Sequence, residues 1–452
     1  MSLAGPDAPP TAPPPWSPTG RGLDAGDPPP PRRRRPSARM VAAAVAVALV
    51  LAGNGAALLL IDRHGDDVTA GEPRSAPPST TADDQPAAPE PTEPPSTTTA
   101  PSTSTTEPRT PLERAVAELS AFVADQRELE FLRPVNVELL DGQAFVGRLL
   151  DGSEENRADT EGTEKVLRAL QLIGPDVDLF DTFIAFYREA VVGFYDPESD
   201  ELVLRGSELT PYVRSTLVHE LSHALDDQHF ELHRPVVDDA DDESSLAFSA
   251  LIEGVSVSIE TAYSQSRSDA EQNEAAKEAA AFASRAASAG IPPIVTQLAQ
   301  FPYIFGPLFV GALVDEGGEE RVDAAFREPP TTSEEVLVPS VFLRGEPPVT
   351  VPRPFDEGLR VIDEGTYGQW ALSLTLDHFL DSETANRASD GWGGDSYVAW
   401  DEGAGACVRM AFAMDTPADL SELDSAWRRW ADAHGDTTVT RADDLLTVTA
   451  CG

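Results

Sequence analysis

The chain has 452 residues, a formal net charge of −44, and an unusually high proline count of 40. Most of that proline lies in the first 110 positions, which cannot bury a core, so residues 111–452 are left to form one large enzyme-sized domain. The early residues hold a block of arginines (Arg32 to Arg35), so the acidity belongs to the rest of the chain. So acidic a body argues against a nucleic-acid partner, and equally against docking on anionic lipid.

Residues 1–39 are Pro, Ala, Gly and Arg without a hydrophobic period, and read as a disordered cytoplasmic tail. Met40 to Ile61 follow without a single charge, long enough to cross a bilayer as one helix. The arginines precede this span, while Asp62, Asp66 and Asp67 follow it, so the positive-inside rule places the body outside the cytoplasmic membrane. A cleaved signal peptide is the competing reading, but the apolar run continues through Leu58, Leu59, Leu60 and Ile61. Residues 62–110, rich in Thr, Ser and Pro, read as a linker.

In the body, Leu112, Val116, Leu119, Phe122 and Val123 recur at helical spacing and predict a helix over 112–127. Further helices are expected at about 163–173 and 178–190. Two short extended runs, Val191 to Tyr195 and Glu201 to Arg205, are joined by a turn of DPESD composition and predict a hairpin. Thr210-Pro211 then supplies an N-cap and a first-turn proline for a helix to about Asp227. Helices over about 242–262 and 268–289 come next. Phe301 to Val314 is apolar, short, and contains Pro302 and Pro307, which points to buried core rather than a second span. Beyond 355 the pattern is a smaller mixed part: a helix at about 368–381, a GWGGD loop at 391–395, strands, and a helix at about 419–433. The expected class is α+β and helix-dominated. Cys407 and Cys451, the only cysteines, lie in strand-like runs of an exported body, so a disulfide between them is expected.

The chemistry concentrates in HELSHALDDQHFELH. His219 and His223, four apart on a helix, project from one face and can share one tetrahedral zinc ion, with Glu220 beside them as general base. The motif follows a probable edge strand, which would let a peptide substrate be laid out as an added strand. Two residues compete as third ligand. Glu253 is a carboxylate in an otherwise small, apolar helix face, where burial demands a partner. His229 has the spacing used across a tight turn, but Asp226 stands where such a turn wants Gly, and Glu253 is favoured. Asp227 reads as a bond to a ligand or a cap on the helix end. Tyr263, Tyr303, Tyr367 and His378 read as core, with a role at the reacting carbonyl open by residue type only.

Three segments, GFYDPESDELVLRG (193–206), HELSHALDDQHF (219–230) and ALIEGVSVS (250–258), resemble a family of exported bacterial and archaeal zincin metallopeptidases of the glutamate-zincin type. PPTTSEEVLVP (329–339) and GWGGD are similar to further landmarks of that family. The resemblance implies a zincin-like domain over 111–452 and one zinc ion on His219, His223 and Glu253. It further implies Glu220 as base and a peptide or protein substrate. In thermolysin-like relatives an Asp four residues after the ligand Glu orients a His; Val257 stands there. Relatives with the PPTTSE-like segment often carry a His where this chain has Val338. The expected function is therefore a membrane-anchored, outward-facing zinc metallopeptidase. The alternatives are an inactive zincin-fold scaffold of the cell envelope and a cell-wall amide hydrolase.

Overall fold

In the computed structural model, residues 110–233, 242–354, 358–403 and 405–452 are described. The expected cytoplasmic tail, membrane span and linker, up to residue 109, lie outside them. The described chain is α+β and helix-dominated, with two separate sheets.

Local signals set most of the early elements. Helix α1 (Pro111–Arg127) begins with a capping box, in which the Thr110 hydroxyl accepts from Glu113 N and the Glu113 carboxylate accepts from Thr110 N. Strand β1 (Asn136–Leu140) and helix α2 (Gly142–Leu149) follow, then α3 (Arg157–Ala169) and α4 (Leu179–Ala190). Strands β2 (Gly193–Asp196) and β3 (Glu201–Arg205) form the expected antiparallel hairpin, and β1 adds to β3 in parallel, giving the order β1-β3-β2.

Helix α5 (Pro211–Phe230) starts as predicted, with the Thr210 side chain accepting from Val213 N and proline at the first position. Its Val213, Leu217, Leu221 and Leu225 are buried in the core. Burial extends round nearly the whole helix, however, and includes polar side chains. Helices α6 (Asp242–Gln265) and α7 (Asp269–Ala286) pack beside it, and α8 (Pro293–Arg327), which breaks at Gly317 and Gly318, packs against α6. The apolar run 301–314 is the middle of α8, with Pro302 and Pro307 inside the helix. It is not wholly core: Leu308 is 52% exposed, because only one face of α8 meets α6. Helices α6 and α8 pass a length-and-hydropathy test for membrane crossing, but α6 buries Glu243, Glu253 and Glu260 inside the protein.

The crossing of α6 and α8 is a backbone contact. A Cβ on Gly254 would overlap the carbonyl of Gly306, and one on Gly306 would overlap the carbonyl of Ala250, so only glycine fits at either place. The short helices α9 (Ser333–Leu337) and α10 (Pro339–Arg344) tie this part to the next. Glu243 of α6 accepts from the Ser333 hydroxyl at 2.6 Å, and that hydroxyl in turn accepts from Trp370 N at 3.1 Å.

The C-terminal part holds a five-stranded antiparallel sheet, in the order β4-β5-β6-β8-β7, from β4 (Val361–Gly365), β5 (Trp392–Glu402), β6 (Gly405–Met414), β7 (Thr437–Ala442) and β8 (Leu445–Cys451). Helices α11 (Gln369–Asp377), α12 (Ser382–Ser389) and α13 (Pro417–His434) complete it, with Trp427 and Trp430 of α13 in the core. GWGGD is not a free loop. From Trp392 on it is the start of β5, paired with β6 through a register shift between Trp392 and Gly394. Gly394 lies so close to the backbone of Val349 that no side chain would fit. Gly394 is there for close packing, while Gly391, at φ 71°, does sit in the turn before the strand. Cys407 and Cys451 face each other across β6 and β8 and are joined as a disulfide.

Candidate metal centre

One helix pair brings the chemistry together. On α5, His219 and His223 are four residues apart and share a face; on α6, Glu253 meets them. The Nε2 atoms of His219 and His223 lie 3.2 and 3.7 Å from Glu253 Oε2. All three donor atoms lie within 4.8 Å of one another. Burial is nearly complete, at 0%, 4% and 2% exposure for His219, His223 and Glu253.

The three donor atoms, His219 Nε2, His223 Nε2 and Glu253 Oε2, are buried without a directed hydrogen bond. Leaving such groups unpaired costs about 1–3 kcal/mol each, and more if charged. A tetrahedral zinc with bonds of about 2.0–2.1 Å sets its donors roughly 3.4 Å apart, close to the two measured separations. Two imidazoles and one carboxylate are also a donor set that zinc accepts. The residues fit the ion.

Contacts between α5 and α6 continue on both sides of the cluster. The Ser256 hydroxyl lies 3.0 Å from His223 Nδ1, Glu260 Oε2 lies 3.3 Å from His219 Nδ1, and the Ser215 and Ser264 hydroxyls are 3.3 Å apart. Each step moves four residues back along α5 and about four forward along α6, so the helices run antiparallel through a polar seam. Sequence reasoning missed Ser256 and Glu260. Their signal was present: with Glu253 they make an i, i+3, i+7 stripe on a helix that, Ser258 apart, is otherwise small or apolar there. Val257, where an Asp was looked for, packs against Tyr303 instead.

Glu220 is fully buried, and among the described residues neither of its oxygens receives a well-formed hydrogen bond, although the Tyr195 amide lies near enough to act on it. Burial pushes its carboxyl up to about 8, although His219 and the Tyr195 amide pull it down. Burial by itself would lower the His219 pKa, but the Glu253 and Glu260 carboxylates override it and raise it to about 10. Burial and the neighbouring His219 push His223 well below its usual range.

Strand β2 lies directly on α5. A Cβ at Gly193 would come within 2.7 Å of Thr216 Cγ2 and 3.4 Å of Glu220 Cγ, so glycine is what lets the strand reach Glu220. Arg205 N donates to Val192 O at 2.8 Å. By antiparallel alternation, Gly193 and Tyr195 therefore turn their amides and carbonyls away from β3, toward the open side of the sheet. All four residues of β2 are nonetheless buried.

The other candidates lie elsewhere. His229 Nε2 is 2.8 Å from Glu130 O, and α5 runs on to Phe230, so no tight turn carries it to the cluster. Asp226 is buried against Arg127 at 2.9 Å. Asp227 accepts from Tyr195 Oη at 2.8 Å and from Leu232 N at 2.9 Å, the second of the two roles open to it, a cap on the helix end. Tyr263 accepts from Arg214 Nε at 3.2 Å, and Tyr367 pairs with Thr375 at 2.6 Å. His378 packs edge-on against Phe379. Tyr303 differs from these three: it is buried on α8 and hydrogen-bonds to Glu253.

A family described as "Domain of unknown function (DUF8575)" matches residues 357–450. The match covers the five-stranded sheet and its helices, and does not include His219, His223 or Glu253. No curated protein matches the chain. No solved structure matches it either.

Proposed function

We propose that this chain is a zinc-dependent peptidase of the glutamate-zincin type, held outside the membrane by its N-terminal span. His219, His223 and Glu253 would hold the ion. Zinc bound there acts as a Lewis acid on a carbonyl and makes water acidic enough to ionise near neutral pH. The remaining work falls to the chain. Glu220 would take a proton from the attacking water and deliver it to the departing amine. The outward amide and carbonyl of Gly193 and the carbonyl of Tyr195 would hold a substrate strand against the base. The observation that carries the reading is Glu220 itself, a fully buried carboxylate with no directed hydrogen bond, beside three metal-fitting donors. A purely structural zinc site is closed by four protein ligands and has no use for such a group.

A second reading is favoured by the burial of the whole centre. A protein that holds the ion but admits no substrate, and serves as an envelope scaffold, would look the same at rest. One experiment separates them. Zinc per chain is measured on the purified protein, and hydrolysis of casein is followed with and without a chelator. We expect one zinc, chelator-sensitive cleavage, and a loss of about 10³-fold in Glu220→Gln with zinc retained. Zinc without cleavage of casein would support the scaffold, and cleavage of purified wall material alone would support an amide hydrolase. Cleavage indifferent to Glu220 would remove the mechanism.

A further inference from the structure

The seam between α5 and α6 leaves one buried carboxylate that zinc binding and proton transfer do not use. Glu260 is 8% exposed and lies seven residues, two helical turns, beyond Glu253. Its two oxygens are divided. Oε1 accepts from the Ser215 hydroxyl at 2.8 Å, and Oε2 sits 3.3 Å from His219 Nδ1, an ion-pair distance without directed hydrogen-bond geometry in the metal-free centre. His219 is thus placed between two carboxylates, Glu253 on the Nε2 side and Glu260 on the Nδ1 side. An imidazole that gives one nitrogen to a metal keeps its proton on the other, and that N–H needs an acceptor in a buried site. Resting on the metal-centre reading, we infer that Glu260 is the positioning residue for His219, accepting from its Nδ1–H so that Nε2 is presented to the ion.

The antiparallel run of the helices explains the place. Position 257, one turn past the ligand, faces Tyr303 of α8, whereas position 260 falls opposite His219. Ser215, one turn before His219 on α5, anchors the carboxylate from the other side. His223 has a neutral counterpart, the Ser256 hydroxyl at 3.0 Å. An anionic acceptor raises the basicity of a ligating imidazole more than a neutral one does, so His219 should be the more dependent of the two on its partner.

The test is zinc affinity, measured on the full chain by competition with a chromophoric chelator, together with long-range proton–nitrogen spectra of the imidazoles in the zinc-loaded protein. Glu260→Ala should weaken zinc binding by about 10–100-fold and lose the protected His219 Nδ1–H signal. Glu260→Gln, which keeps the shape and removes the charge, should lose less, and Ser256→Ala less than Glu260→Ala. Should the alanine variant fail to fold, the isosteric Gln variant decides by itself. Wild-type affinity in a folded Glu260→Ala, or in Glu260→Gln where that is the variant tested, would overturn the inference while leaving the metal reading intact. A wild-type chain that binds no zinc would overturn both.

Discussion

Glu220 and Asp395 are both buried carboxylates, 0% and 6% exposed, and they are held in opposite ways. Asp395, at the start of β5, accepts from Tyr367 N at 2.7 Å, from Gly368 N at 2.8 Å and from Trp392 Nε1 at 2.8 Å. It stitches the N-terminus of α11 to the sheet. Glu220, on α5, has no directed hydrogen bond at either oxygen. A charge buried with three donors contributes to the fold. A carboxyl buried without them is a standing cost, relieved only in part by keeping its proton, and is maintained only where something else is gained.

The largest effect that would break this contrast lies at the metal. Glu253→Ala should empty the centre of zinc at neutral pH, whereas His229→Ala should keep a full equivalent, as metal analysis of the two purified variants would show. The reverse result would hand the third ligand to His229.

Next come two stability effects in the C-terminal sheet. Opening the Cys407–Cys451 bond, whose sequence separation is 44, should cost about 4 kcal/mol through the freedom returned to the unfolded chain. Denaturant titration with and without reductant measures it. Asp395→Ala leaves three N–H donors unpaired and should cost about 3 kcal/mol or more, with zinc content unchanged in the folded fraction. An Asp395 variant of wild-type stability would mean that its three bonds are not what holds α11 to the sheet.

The smallest effect is a pH trend confined to the metal-free centre. Glu220, raised to about 8, stays protonated in the fold after it has ionised in the unfolded chain. His219, raised to about 10, stays charged in the fold after it has become neutral unfolded. Both mean that the fold binds the extra proton, so stability is lost as pH rises, from about 4.5 for Glu220 and from about 6.5 for His219. His223, pushed down, is neutral in both states over that range. The melting temperature of zinc-free protein should therefore fall between pH 6.5 and 8.5, and fall less in Glu220→Gln. A flat profile would show that these groups do not differ between folded and unfolded chains.

Caps and short-range periods made much of this legible from sequence: Thr110-Pro111, Thr210-Pro211 and the 193–205 hairpin all stand where local chemistry puts them. So did the cluster residues, since His219 and His223 announce a shared face and Glu253 stands out in an apolar helix. What escaped depends on distant partners. NVELL (136–140) is too short to declare itself, and becomes β1 only by pairing with residues 201–205. GWGGD was misread because glycine serves close packing as well as turns. Glu260 escaped because its significance comes from which residue of α5 lies opposite, which no single-helix pattern reveals.

The contact of Gly254 with Gly306 has a mechanical consequence. It acts as a fulcrum one residue from Glu253. If α6 rocks by 10° about that point, a residue one position away moves by only about 0.3 Å, given a rise of 1.5 Å per residue. Glu260, six positions out, swings through roughly 1.6 Å by the same geometry. A tilt of α6 that opens the buried centre would thus hold the Glu253 carboxylate nearly still, while the Glu260 carboxylate behind His219 travels farther.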